Sequence, residues 1–295
     1  MFKSIIDMPK ESFLFWLSVK KNILRCEIMD IMMTIIVAMF GVIIGSFLNV
    51  CIVRLPNGES IAYPPSHCVS CNHKLGFWDL IPVFSYIFLG GKCRYCKEKI
   101  SIRYAIIELL TGILIGFSYY KYGFSIDFFG VSSLILILIV VSLIDLEHQI
   151  IPDELVVLGI VVGIILIIYN FFGSVSLYKD RNWYNPLIGG VLISSILYIV
   201  SKVSQLIYKT EDTLGLGDVK LYIPIGLILG YRLVIVSFLI TILLAGIYGL
   251  SIIIIDRKNS KKLVPLAPFI SIGSVISMFF GYEIIEWYIS QIIKI

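Results

Sequence analysis

Long uncharged apolar runs recur along the chain, separated by short polar links and one longer polar insert. Runs over 31–53, 155–178 and 233–255 each exceed the ~20 residues that cross a hydrocarbon core. Those over 128–144, 182–201 and 263–282 approach that length. Two are weaker: 105–120 carries Glu108, and 221–231 is about two-thirds of a crossing. The pattern predicts an all-α polytopic membrane protein of about eight transmembrane helices, the sixth short and punctuated by glycine. It divides the chain into an N-terminal extension (1–29), a first transmembrane helix (30–54), a polar insert (55–103) and a transmembrane bundle (104–295).

Composition agrees. With 58% hydrophobic and 15% charged residues and a mean hydropathy of +0.95, the chain lies far from a soluble globular average. The net charge of +4 is small and gives no reason to expect a nucleic-acid partner; the lipid bilayer is the implied one. The distribution of Lys and Arg is more informative. Arg54, Lys74, Lys92, Arg94, Lys97, Lys99 and Arg103 crowd the insert and its edges, Lys202, Lys209 and Lys220 precede span six, and Arg257, Lys258, Lys261 and Lys262 precede span eight. The alternate links hold only Lys121, then Lys179 and Arg181, then Arg232. The basic links are therefore expected in the cytoplasm and both termini outside. Lys3, Lys10, Lys20, Lys21 and Arg25 run against this; a start at Met29 removes the conflict, and otherwise residues 13–17 form a short interfacial helix. No small-residue cleavage site follows that stretch, so it does not read as a cleavable signal peptide.

The insert carries Cys68-Val69-Ser70-Cys71 and Cys93-Arg94-Tyr95-Cys96, two CxxC pairs separated by twenty-one residues. That is one residue beyond the usual spacing of a four-thiolate zinc site. A reducing cytoplasm disfavours disulfides, and about fifty residues bury too little to fold securely alone, so Cys68, Cys71, Cys93 and Cys96 are expected to hold a structural zinc ion. Four thiolates complete the tetrahedron, leaving His67 and His73 around it or at the surface. Cys51 reads as a small buried hydrophobe, and Cys26 stands alone.

Charged side chains at a membrane boundary are costly. Asp145 ends one apolar run, and Asp218, in Gly215-Leu216-Gly217-Asp218-Val219-Lys220, opens another. Two such carboxylates that meet can share one proton and act as a catalytic pair. Around them, Gly215 and Gly217 let the backbone unwind, Lys220 snorkels or offsets nearby negative charge, Asp153 suits a helix N-cap after Pro152, and His148, on the face of Asp145, either tunes that carboxylate or is merely solvated. Asn49 and Arg54 at the end of span one can hold a polar ligand, whereas Gly45 and Ser46 suit close helix packing. Glu108 lies a turn inside the membrane and needs a partner: Arg103, Arg54 or a substrate amine. Paired carboxylates and a broken span also suit an ion-coupled transporter, but no internal repeat is visible and such a protein has no use for the CxxC pairs. A zinc metalloprotease lacks its HExxH.

In order along the chain stand GSFLNVCIVRLP, the two CxxC pairs, GGKC, RY followed by Glu108, Asp145 with Pro152-Asp153, and GLGDVKL. With these the chain, from about residue 31 to about 266, resembles the type IV prepilin peptidases. The resemblance implies a GxGD-type intramembrane aspartyl protease of the bacterial cytoplasmic membrane, with Asp145 and Asp218 as its pair and its catalytic face in the cytoplasm. It implies prepilin or pseudopilin substrates of pilus, secretion or competence systems, cut after a glycine that precedes an apolar helix. It further implies methylation of the new N-terminal amine from S-adenosylmethionine, with the loop around Gly91 and Lys92 contributing. The extension before Met29 and the long link 173–185 depart from the family pattern without touching these motifs.

Overall fold

The computed structural model describes residues 10–180, 182–208, 215–255 and 264–293, and side chains within 28–180, 182–207, 215–255 and 264–292. It is 78% helix. Its helices are α1 (Lys10–Arg54), α2 (Phe84–Phe88), α3 (Arg103–Tyr122), α4 (Ile126–His148), α5 (Asp153–Phe172), α6 (Asn185–Tyr208), α7 (Leu216–Ile255) and α8 (Ala267–Ile293). Among the described residues six helices are long and apolar enough to cross a membrane: Ile28–Asn57, which holds all of α1's described side chains, and α4 to α8. The weaker second run forms α3, which is not among those six and packs along α1. The side chains of the expected interfacial segment 13–17 and of Cys26 lie outside the described residues, as do residues 1–9.

The sixth and seventh apolar runs share one element. α7 breaks at Gly230, where φ 77 and ψ 170 suit only glycine, and the chain then returns beside itself, so that the Tyr222 hydroxyl donates to Thr241 Oγ1 at 3.1 Å. Asn185 stitches the break: its Oδ1 accepts the Tyr231 N–H at 3.0 Å while its Nδ2 donates to the Tyr178 carbonyl at 3.3 Å and to Asp180 at 2.8 Å. A Cβ on residue 230 would stand 2.5 Å from Asn185 Oδ1. Gly230→Ala is therefore expected to destabilise the protein by about 1–3 kcal/mol, read as a lower melting temperature in detergent. An unchanged melt would show that the break tolerates a side chain.

Lipid tails are as apolar as leucine, so helices here associate through close packing and hydrogen bonds rather than hydrophobic burial. α6 and α7 meet backbone to backbone: a Cβ on Gly226 would lie 2.1 Å from the Gly189 carbonyl oxygen. α1 and α3 meet through Gly41, Gly45, Gly112 and Gly116. Hydroxyl pairs cross the helices, Ser237 with Ser274 at 2.8 Å and Ser142 with Ser271 at 2.6 Å, each contributing about 0.6 kcal/mol. At the centre, α4 packs against α1, α3, α5, α7 and α8 and fully buries Val131, Leu134, Ile135, Val141 and Ile144. Ser125 caps its N-terminus by accepting the Phe128 N–H, and Gln149, at φ 55, closes its C-terminus. Asp127 in its first turn accepts the N–H groups of Ser176 and Leu177, which fixes the long link after α5.

This order gathers the insert, the C-terminus of α4 and the N-termini of α5, α7 and α8 at one end. The other end is tied by Lys121–Glu283, Lys179–Glu286 and Arg232–Asp180.

Candidate active site and metal centre

Asp145 and Asp218 come from the last turn of α4 and the first turn of α7, are both buried, and stand within Coulombic reach of one another. Asp145 Oδ2 accepts the backbone N–H of Ala267 at 3.0 Å, so the first amide of α8 orients the carboxylate. Sequence reading missed that contact. The signal available was Pro268, which sits at the second position of α8 and marks a helix start there.

Two expectations about their neighbours are corrected. Asp153 does not cap α5: the N-cap is Pro152, no side chain caps it, and Asp153 lies in the first turn. Its carboxylate instead takes Lys220 Nζ at 2.9 and 3.2 Å, an exposed pair that anchors α7 to α5 beside Asp218. The backbone does not unwind through Gly217, since α7 is helical from Leu216. The glycines supply room instead: a Cβ on Gly215 would lie 3.2 Å from Asp218 Oδ2, and one on Gly217 3.2 Å from Ile151. His148 is exposed.

The four sulfur atoms of Cys68, Cys71, Cys93 and Cys96 all lie within 4.8 Å of one another. Each pair sits on the same kind of turn. Asn72 N–H donates to the Cys68 carbonyl and Lys97 N–H to that of Cys93, with Asn72 at φ 56 and Lys97 at φ 61. Antiparallel bridges His67–Lys74 and Lys92–Lys99 close the two turns. Backbone amides of Cys71 and Ser70 hold the Cys68 thiol down to about 6, which favours the thiolate, the form able to bind a metal. Tetrahedral zinc–sulfur bonds of ~2.3 Å fit a cluster of this size. His67 Nδ1 lies 3.2 Å from the Pro65 carbonyl and His73 stacks on Tyr95, both outside the cluster. Asp79 braces the second turn through Arg94 and Tyr95; burial opposes its charge, but hydrogen bonds from Arg94, the Gly76 amide and Tyr95 outweigh that and hold its carboxyl below the usual range.

Between this cluster and the helices lies a cavity of about 550 Å³. Asn49, Arg54 and Glu108 line it, with Ser46, Tyr86 and Cys68. Asn49 Nδ2 donates to the Tyr104 carbonyl at 3.2 Å, and Arg54 donates to the Ser60 and Pro64 carbonyls at 3.0 and 2.6 Å. The expected pairing of Glu108 with Arg103 or Arg54 is corrected. Glu108 Oε2 accepts the Val83 N–H at 2.8 Å, Ser46 shares the cavity wall with it, and Arg103 pairs with Glu147. Gly91 and Lys92 do not line the cavity. Gly91, at φ 67, leaves space for Tyr86, whose hydroxyl would stand 2.8 Å from a Cβ there, and Lys92 is exposed.

The bacterial peptidase A24 N-terminal domain matches residues 39–122, and the type IV leader peptidase family matches residues 132–250. A prepilin leader peptidase/N-methyltransferase from Bacillus subtilis (strain 168) is 30% identical over 257 residues, covering 87% of this chain and 98% of that protein. The chain belongs to the type IV leader peptidase family. Proteins of the same name from Stutzerimonas stutzeri and Legionella pneumophila are 28% and 30% identical, covering 84% and 87% of this chain and 91% and 94% of theirs. No solved structure matches. In this family member the N-terminal match holds the cysteine cluster and every residue lining the cavity, and the peptidase match holds both aspartates.

Proposed function

We propose that this multi-pass membrane protein cleaves the leader from prepilins or pseudopilins after a glycine at the cytoplasmic face, and then methylates the new N-terminal amine. The observation that carries the reading is the juxtaposition of the buried Asp145 and Asp218 at the end of the bundle that also bears the insert. The names of the relatives support both activities.

Two carboxylates held close share one proton, because ionising both is costly. One takes a proton from water, which attacks the scissile carbonyl; the other gives its proton to the carbonyl oxygen, and the pair later protonates the departing amine. The Ala267 amide keeps Asp145 in place for this, and the Lys220–Asp153 pair holds the start of α7. The leg from Leu216 to the break at Gly230 is about 21 Å long at 1.5 Å per residue, short of the ~30 Å hydrocarbon core, which lets water reach this end. A glycine at the cut weakens the substrate helix, whose amides are otherwise locked in hydrogen bonds.

The four cysteines hold structural zinc. The cavity receives S-adenosylmethionine, which supplies the methyl group. Asn49 and Arg54 present polar groups to the donor, Glu108 faces the same cavity from α3, and Gly91 leaves the room that keeps Tyr86 on its wall. The freed amine emerges beside this cavity, so methylation in place benefits from high effective concentration.

Purified protein given a synthetic prepilin tests the whole reading, with cleavage after the glycine and one added methyl group expected by mass spectrometry. An uncut prepilin would overturn it. Supplying pre-cleaved pilin and labelled S-adenosylmethionine to Asp145→Asn protein separates the two sites: label transfer is expected to persist. It is expected to disappear in Gly91→Leu protein, where the side chain displaces Tyr86. Loss of transfer in the aspartate variant would show that both reactions use one site.

A further inference from the structure

Glu108 is 7% exposed, sits on the cavity wall, and among the described residues has no cation paired with it. The two arginines placed to neutralise it are engaged elsewhere, Arg54 with two carbonyls and Arg103 with Glu147. A buried carboxylate is costly unless a cation meets it. The fold nonetheless holds this one firmly. The Val83 N–H fixes its position, and Gly45 lets α1 approach so closely that a Cβ there would lie 2.8 Å from the Glu108 Cα. One bound donor leaves a carboxylate with acceptor capacity to spare. A cation supplied by a ligand completes this arrangement.

Two cations belong to the proposed methylation: the substrate's α-ammonium and the donor's sulfonium. The ammonium carries three N–H donors and the sulfonium none, so only the ammonium uses the remaining acceptor positions. Geometry favours it too. Glu108 projects from α3 on the helical side of the cavity, where an amine borne by an apolar helix arrives, whereas Cys68 and the insert form the other side.

We infer that Glu108 is the site that binds the substrate's new N-terminal ammonium and takes its proton, an inference that rests on the methyltransferase reading above. The proton passes from nitrogen to the carboxylate. The freed lone pair forms the N–C bond to the methyl carbon, and the C–S bond breaks with its electron pair left on sulfur, giving a secondary ammonium and a neutral thioether. The carboxylic acid then returns its proton to water.

The test uses the full protein in detergent and needs no turnover. Binding of an apolar peptide with a free α-amine is compared with binding of its N-acetyl twin, without methyl donor. Wild-type protein is expected to prefer the free amine by roughly tenfold, and Glu108→Gln protein, which can still accept from Val83, to show no preference. Equal affinity of the wild type for both peptides overturns the inference whatever the variant does. So does a preference that survives in Glu108→Gln. Affinity for S-adenosylmethionine, measured on the same samples, is expected to be unchanged in Glu108→Gln; a loss there with the peptide preference intact would assign Glu108 to the sulfonium instead. If the wild type binds no donor, the methyltransferase reading fails, while the amine preference is still decided by the peptides. Should Glu108→Gln not fold, Glu108→Asp, which draws the carboxylate back by one methylene, is expected to weaken the preference several-fold; an unaltered preference counts against the inference.

Discussion

Asp145→Asn and Asp218→Asn are each expected to abolish leader cleavage, with losses of roughly 10²–10⁴-fold or more, as befits removal of general acid–base catalysis. Sharing a proton needs two ionisable groups, and an amide can neither take a proton from water nor give one to the carbonyl. Both variants should remain folded. The side-chain amide oxygen introduced by Asp145→Asn can still accept the Ala267 N–H, and no described hydrogen bond of the bundle depends on the charge of Asp218. Because the two groups act as a unit, the double variant should be scarcely slower than either single one. Cleavage of synthetic prepilin by purified protein is the measurement, with the melting profile in detergent as the check on folding. An Asp218→Asn protein that cuts at the normal rate would remove Asp218 from the mechanism.

That Asp145 and Asp218 stand out at the edges of their apolar runs was legible in the sequence, because a carboxylate there has few ordinary explanations; the structure adds that both are buried at the same end of the bundle. The same holds for the cysteines, whose paired spacing anticipates the sulfur cluster. Long-range partners were not legible. Nothing local says that Ala267, more than a hundred positions away, supplies the amide that Asp145 accepts, or that Lys220 reaches Asp153 rather than a catalytic carboxylate. Composition suggested a cap at Asp153 because aspartate favours such places, yet the extended conformation of Pro152 already ends the preceding segment and moves the cap back by one. Glu108 was read as a charge seeking a charge. Its hydrogen-bond partner proved to be a backbone amide, a group that every stretch of chain contains and that no pattern distinguishes. The break at Gly230 was visible as a short span, but the residue that secures it, Asn185, belongs to another helix.

Chelation, or replacement of any one of Cys68, Cys71, Cys93 and Cys96 by Ser, is expected to release the metal, expose the insert to proteases and end methyl transfer. The reason lies in how little the insert buries. Between 55 and 103 only Gly91 and Cys93 are buried, while Phe77, Trp78, Phe84 and Phe88 are exposed. Without a core, the turns around the two pairs rest on a few hydrogen bonds of about 1 kcal/mol each and on the Asp79–Arg94 contact. A four-thiolate zinc site contributes on the order of 10–16 kcal/mol, so its loss decides whether this segment folds. The bundle should outlast it. α1 and α3 interlock through their glycines on the membrane side, and α4, α7 and α8 hold the aspartates without help from the insert. Limited proteolysis with and without chelator should therefore cut within 55–103 first and leave the helices intact. Elemental analysis of the purified protein should find one zinc per chain. A metal-free protein whose insert resists protease would overturn the assignment of a structural zinc.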